Sequence, residues 1–135
     1  MSKTKLRPAQ QHDAQLVTEL FCNIYEETKK KNIEDMISQK KIYVLKRKKK
    51  VIAAFSYTVY GVLGIFAIMY VHRLAVIPEL QGQGIGTMLL SKIKTRSVKT
   101  GATAIFLYSL QRARKFYEKN KLSNIWRYYW WSNHL

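Results

Sequence analysis

Cysteine is nearly absent. Cys22 is the only one in 135 residues, so no disulfide can close within the chain, and a stapled secreted scaffold is excluded. A reducing, cytoplasmic setting is the expectation, and residues 1–15 are polar, without the pattern of a signal peptide. Because Leu16, Val17, Leu20 and Phe21 stand around it, the Cys22 thiol is expected to be buried and structural. Two prolines and six glycines leave no low-complexity linker, and no internal repeat is visible. One domain over residues 1–135 is expected, with 47% hydrophobic residues to build its core. Acids are scarce too, eight against 24 Lys and Arg, for a net charge of +16. The imbalance is uneven: residues 1–35 hold six basic and six acidic side chains, whereas the other hundred hold eighteen basic ones against Glu79 and Glu118. That excess fits a phosphate-bearing ligand together with a polyanion such as RNA. It equally fits a lysine-rich solvated surface in which the basic turn 47–50 blunts a sheet edge.

One long hydrophobic run is present. Residues 51–71 carry no charge over 21 positions and follow the basic stretch 46–50, the pattern of a membrane helix with a positive flank. The composition argues for strands instead. Val, Ile, Phe, Tyr and Thr dominate, and Gly61 and Gly64 bracket a break that leaves two strand-length pieces. Strands buried on both faces read as continuous apolar runs, so a central hairpin accounts for the segment and no membrane span is expected.

Residues 71–91 run from an apolar strand through Pro78 into a glycine-rich loop and then into a helix. Gly82, Gly84 and Gly86 allow close backbone approach to a ligand, and Met88, Leu89, Leu90 and Ile93 are close to helical spacing. Free amides at that helix start, with the dipole behind them, suit a pyrophosphate. Three glycines also suit an ordinary turn. A Walker loop would place Lys and then Ser or Thr after the last glycine, and only Thr87 stands there. A dinucleotide fold would place an acid after the next strand, and residues 102–110 hold none.

The flanks resemble a particular family. Gln81-x-x-Gly84-x-Gly86, preceded by Leu74-Ala75-Val76-x-Pro78-Glu79 and followed by Met88-Leu89-Leu90, resembles the acetyl-CoA signature of the GNAT N-acetyltransferase superfamily. Ala113-Arg114-Lys115-Phe116-Tyr117-Glu118-Lys119-Asn120 is similar to that family's late helix, and Leu6-Arg7-Pro8-Ala9 with Asp13 to its first strand and helix. The resemblance implies a GNAT-like α/β fold with a mixed sheet, acetyl-CoA as co-substrate, no metal, and direct acetyl transfer to a primary amine in a ternary complex. It further implies that Leu74, Ala75, Val76, Gln81, Gly82, Gln83, Gly84, Ile85, Gly86 and Thr87 hold the cofactor, a backbone amide near Val76 polarising the thioester carbonyl.

Acyl transfer needs an amine that loses a proton and a leaving thiolate that receives one. Tyr117 matches the tyrosine that relatives place beside the sulfur, although packing on the sheet would also explain it. Relatives often carry a carboxylate on the strand before the loop. Here Tyr70, His72 and Leu74 share one face by alternation, and His72 is the group that titrates in the useful range, unless it is a hydrogen-bonded sheet histidine. Where relatives carry Asn seven residues before the late Tyr, this chain has Leu110, which leaves Ser109 or Gln111 for that polar contact. Lys121-Leu122 replaces the family's usual Gly-Phe and is expected to remove a left-handed helix stop. Glu26, Glu27, Glu34 and Asp35 are expected to form an acidic wall for a cationic acceptor, or else to pair with Lys29, Lys30 and Lys31. A basic module of the same fold that binds CoA or nucleic acid without catalysis is the alternative.

The expected order is a strand over 3–7, a helical region over 13–39, a strand over 41–46 and the two strands within 51–71. The loop and helix 81–99, a strand over 102–110, a helix over 111–120 and one aromatic strand over 125–131 follow. A C-terminal region shortened to one strand would expose Trp126, Tyr128 or Trp130 for a homodimer.

Overall fold

The computed structural model describes residues 4–25 and 28–133. In chain order these form β1 (Lys5–Pro8), α1 (Ala14–Cys22), α2 (Lys30–Ser38), β2 (Ile42–Arg47), β3 (Lys50–Val62) and β4 (Phe66–Val76). Next come α3 (Ile85–Lys99), β5 (Ala104–Tyr108), α4 (Arg114–Lys119), β6 (Ser123–Ile125) and β7 (Tyr128–Ser132). The strands make one sheet in the order β1-β2-β3-β4-β5-β7-β6. β4 and β5 run parallel, while β1–β2, β2–β3, β5–β7 and β6–β7 are antiparallel. A parallel pair needs a long crossover, and α3 lies within that connection. The fold is therefore α/β with a mixed sheet. The apolar run 51–71 lies in β3 and β4, and no helix of the described residues is long and apolar enough to cross a membrane.

By its contacts the chain divides into two compact units, residues 1–56 with 73–89 and residues 57–72 with 90–135. In the first, Ala14, Val17, Leu20 and Phe21 of α1 join Ile33 and Ile37 of α2, Ile42 and Val44 of β2 and Val51 and Ala54 of β3 in one buried cluster. Spacings of three and four put the α1 set on a single helical stripe, and each large side chain stabilises the fold by about 1.5–3 kcal/mol on burial. Asp13, buried ahead of α1, accepts the Gln10 N–H at 2.9 Å and pairs with Lys46 of β2 at 2.9 Å. In the second unit Met69, Ile93, Ile105, Leu107 and Tyr129 are fully buried. The alternation Ile105-Phe106-Leu107-Tyr108 turns the first and third inward and leaves Tyr108 exposed.

Several expectations need correcting. Cys22 is exposed, and its thiol donates to the Thr28 carbonyl at 3.3 Å. At about 100° per residue it sits about 80° past Ala14 on α1, off the stripe that points inward. The helical region is two separate helices, with Glu26 and Glu27 outside the described residues; Glu34 is half-buried on α2 and Asp35 exposed. Gly61 lies inside β3, and the chain turns later, where Leu63 and Gly64 take φ of 53° and 66°. The C-terminal region is a hairpin rather than one strand: β6 returns through Trp126 and Arg127 into β7, with Trp126 at φ 56°. The Asn124 amide steadies this turn by donating to the Trp126 carbonyl at 2.9 Å. The helix stop also survives. Lys121 itself takes φ 68°, its N–H bonds the Glu118 carbonyl and the Leu122 N–H bonds that of Tyr117, both at 3.1 Å. That pair of bonds is the Schellman closure, built here on a lysine instead of a glycine.

Candidate functional site

The glycine-rich loop forms because two of its positions need a left-handed backbone. Gly82 and Gly84 take φ of 82° and 83°, and a Cβ built at either would meet no protein atom within 4 Å. Backbone conformation, not crowding by the protein, thus demands glycine, and the space above both positions is open. The Gln81 side chain pins the start of the loop by donating to the Val76 carbonyl at 3.0 Å, and Gln83 donates to the Glu79 carbonyl at 3.3 Å. The first bond into α3 runs from the Met88 N–H to the Gly84 carbonyl at 3.0 Å. The amides of Ile85, Gly86 and Thr87 therefore have no acceptor within the helix. Open space above glycine and outward amides at a helix start fit a pyrophosphate.

Pairing of β4 with β5 covers Ile68–Val71 against Ala104–Leu107, and Leu74, Ala75 and Val76 continue β4 beyond it. There the Tyr25 hydroxyl takes both peptide groups of Leu74, accepting its N–H at 3.3 Å and donating to its carbonyl at 3.4 Å. Backbone that the family resemblance implies would hold the cofactor thus has side-chain occupants: Tyr25 at Leu74 and Gln81 at the Val76 carbonyl.

In the second unit, His72 is half-buried on β4, with Nε2 2.8 Å from the Thr58 hydroxyl of β3 and its ring edge-on to Tyr70 at 5.0 Å. That contact puts Tyr70 and His72 on the same face. Burial raises the Tyr70 phenol above its ordinary value, and neighbouring Tyr128, Tyr60 and Tyr108 add to the shift. Tyr70 therefore stays protonated at neutral pH and does not serve as a base. Tyr117 is buried on α4, its ring 5.2 Å from that of Phe116 and 5.5 Å from that of Tyr129. Tyr129 is itself anchored, donating to Glu118 Oε2 at 2.6 Å. Ser109 is buried and its hydroxyl donates to the Leu110 carbonyl at 2.8 Å, while Gln111 is exposed. Leu74 to Thr87 thus belong to the first unit, and His72, Ser109 and Tyr117 to the second.

Two of these contacts escaped the sequence reading. Tyr25 lies 49 residues from Leu74 along the chain, and Thr58 lies within an apolar strand. For Thr58 a signal existed: a threonine and a histidine on adjacent strands of the expected hairpin are within hydrogen-bonding reach.

The fold is thus α/β, with a mixed sheet, one parallel pair and a left-handed glycine loop leading into α3. Residues 11–121 match the Acetyltransferase (GNAT) family, and the chain belongs to that family. No curated protein matches it by sequence. Among solved structures it is similar to the PaiA N-acetyltransferase of Thermoplasma acidophilum in complex with coenzyme A, at 16% identity and TM-score 0.77 over 95% of this chain and 96% of that one. It is also similar to an acetyltransferase of Trypanosoma brucei, at 21% identity and TM-score 0.73 over 93% and 96%. A third, an aminoglycoside acetyltransferase from an uncultured soil metagenomic sample in complex with sisomicin, stands at 19% and 0.71 over 87% of each chain.

Proposed function

We propose that this chain is an acetyl-CoA-dependent N-acetyltransferase that passes an acetyl group directly to a primary amine within a ternary complex. The observation that carries the reading is the left-handed Gly82–Gly84 loop opening onto three amides of α3 that have no helical partner, in a chain of the GNAT family. Gly82, Gln83, Gly84, Ile85, Gly86 and Thr87 would cradle the pyrophosphate, and Leu74 to Val76 would meet the pantetheine arm once Tyr25 gives way. When bound, acetyl-CoA supplies the acetyl thioester and a thiolate leaving group. His72, oriented by Thr58, removes the proton of the amine directly or through water; Tyr117 holds the proton destined for the sulfur. Ser109 contributes to the cofactor side only if its hydroxyl leaves Leu110.

The reading extends to a cytoplasmic protein working as one domain, with RNA or another polyanion on the basic surface. A homodimer through the exposed C-terminal aromatics, foremost Trp126 at 71% exposure, belongs to the same reading. The side-chain occupants at Leu74 and Val76, and the lack of a carboxylate among Tyr70, His72 and Leu74, favour a second reading, a CoA-binding module without catalysis. Calorimetry with acetyl-CoA followed by a thiol-release assay across an amine panel separates the two. Heat with thiol release establishes the enzyme, heat alone the binding module, and neither removes both.

A further inference from the structure

A cleft of about 780 Å³ opens on the first unit, between β1, the end of α2 and the turn joining β2 to β3. Among the described residues its lining holds six cations, Lys5, Arg7, Lys40, Lys46, Lys48 and Lys49, and no acid. It shares no residue with the segment 74–87. Asp13 engages Lys46 at 2.9 Å, which leaves five cations with no carboxylate in the described lining.

The fold bears costs to keep those charges in place. Lys40, Lys48 and Lys49 take φ of 59°, 52° and 67°, a left-handed conformation that side chains disfavour. Lys48 and Lys49 are the central pair of a two-residue hairpin with Arg47 opposite Lys50, where positive φ at both positions ordinarily selects Asn-Gly. Lys5 lies directly across from Lys46 in the β1–β2 register, a like-charge pairing that weakens a sheet. Leu63, Lys121 and Trp126 share that backbone elsewhere in the fold; what sets the cleft apart is that its three left-handed positions are all lysines, beside a like-charge strand pair.

We infer that this cleft is a docking site for the phosphodiester backbone of a nucleic-acid duplex. A cluster of lysines and an arginine with no acid among them suits phosphate oxygens, and such contacts position a duplex without reading its sequence. The described lining contains no aromatic ring, so it lacks the stacking platform that single strands require, and it is concave where a lipid surface is flat. The inference rests on the polyanion part of the reading above and is independent of acetyl transfer.

The test is fluorescence anisotropy of the full chain with a labelled 16-base-pair RNA duplex, a DNA duplex and a single strand of equal length, over a range of salt. Five phosphate contacts would give a slope of log K against log salt of about −4 to −5 on the DNA duplex. Lys48→Asn with Lys49→Gly installs the preferred turn and removes two charges. Its thermal midpoint should rise while duplex affinity falls about tenfold or more and the slope shrinks by about two. Lys5→Gln with Arg7→Gln should repeat the affinity loss from β1, and acetyl transfer to a small amine should be unchanged in both. Lys30→Gln with Lys31→Gln, exposed at the other end of α2, is the comparison and should change affinity much less. If wild type binds the duplexes and only the α2 pair matters, the cleft is wrong while the polyanion reading stands. If wild type binds no duplex, or prefers the single strand or anionic vesicles, the cleft proposal falls, and if it binds none of these the polyanion reading falls with it.

Discussion

At the scale of single residues, the proposed proton carriers differ in how firmly they are held. Tyr117 is wedged between Phe116 and Tyr129, so removing its hydroxyl should leave the ring packing intact. Tyr117→Phe is expected to keep acetyl-CoA affinity while turnover falls ten- to a thousandfold, about the scale for a lost general acid; full activity would return Tyr117 to packing. His72→Gln should cost less and alter the acidic limb of the pH–rate profile, and an unaltered limb removes it as base. Asp13 makes a prediction about stability. Burial would raise its carboxyl, but the Gln10 N–H, Lys46 and His12 together hold it below the ordinary carboxylate value. The folded state then binds this proton less tightly than the unfolded one. The stability it contributes is complete above the ordinary carboxylate range and is lost as pH falls through the lower, folded value. Urea unfolding at pH 7 and pH 3 should show wild type well above Asp13→Asn at the first and above it by less at the second. An equal gap at both would deny the ion pair its role.

Among the elements, β3, β4 and α3 were legible because their signals are local: β-branched runs, a glycine break, and apolar spacing after a glycine loop. Two turns were not. Lys121 and Trp126 take left-handed conformations without the glycine that would announce them, so the lost helix stop and the single last strand were misread from composition. The candidate site divides the same way. The loop is written in its glycines and Tyr117 in a helix motif, whereas Tyr25 and Thr58 act through tertiary contacts that no periodicity marks. The two kinds of turn predict opposite outcomes. Gly84→Val puts a β-branched side chain at φ 83° and over the open cradle, so acetyl-CoA binding should weaken at least tenfold, about 1.4 kcal/mol, with the fold retained. Calorimetry that finds the affinity unchanged would end the loop assignment. Lys121→Gly relieves a left-handed lysine and should stabilise the protein by about 1 kcal/mol in chemical denaturation; a loss of stability would mean the lysine makes a compensating contact.

The whole molecule carries a net charge of +16, and ion pairs do little to offset it. Asp13 pairs with Lys46 and lies 3.4 Å from His12, and Lys94 is held below its ordinary value by burial and by Lys121. Charges of one sign at this density repel one another in the compact state more than in the expanded one, so the folded form is strained by its own field. Salt screens that repulsion over about 10 Å at 0.1 M and about 3 Å at 1 M. The thermal midpoint should therefore climb by several degrees between about 0.02 and about 0.5 M sodium chloride, since 1 kcal/mol moves a domain of this size by roughly 3–5 °C. Condensed phosphate chains should reach the same midpoint at far lower ionic strength, because a multivalent anion concentrates on the cations instead of screening them from a distance. The turn variant that combines Lys48→Asn with Lys49→Gly should show a smaller rise with the phosphate chain and nearly the same rise with sodium chloride. A midpoint indifferent to salt would mean that the cations are already neutralised within the fold, and the phosphate cleft would lose its physical basis.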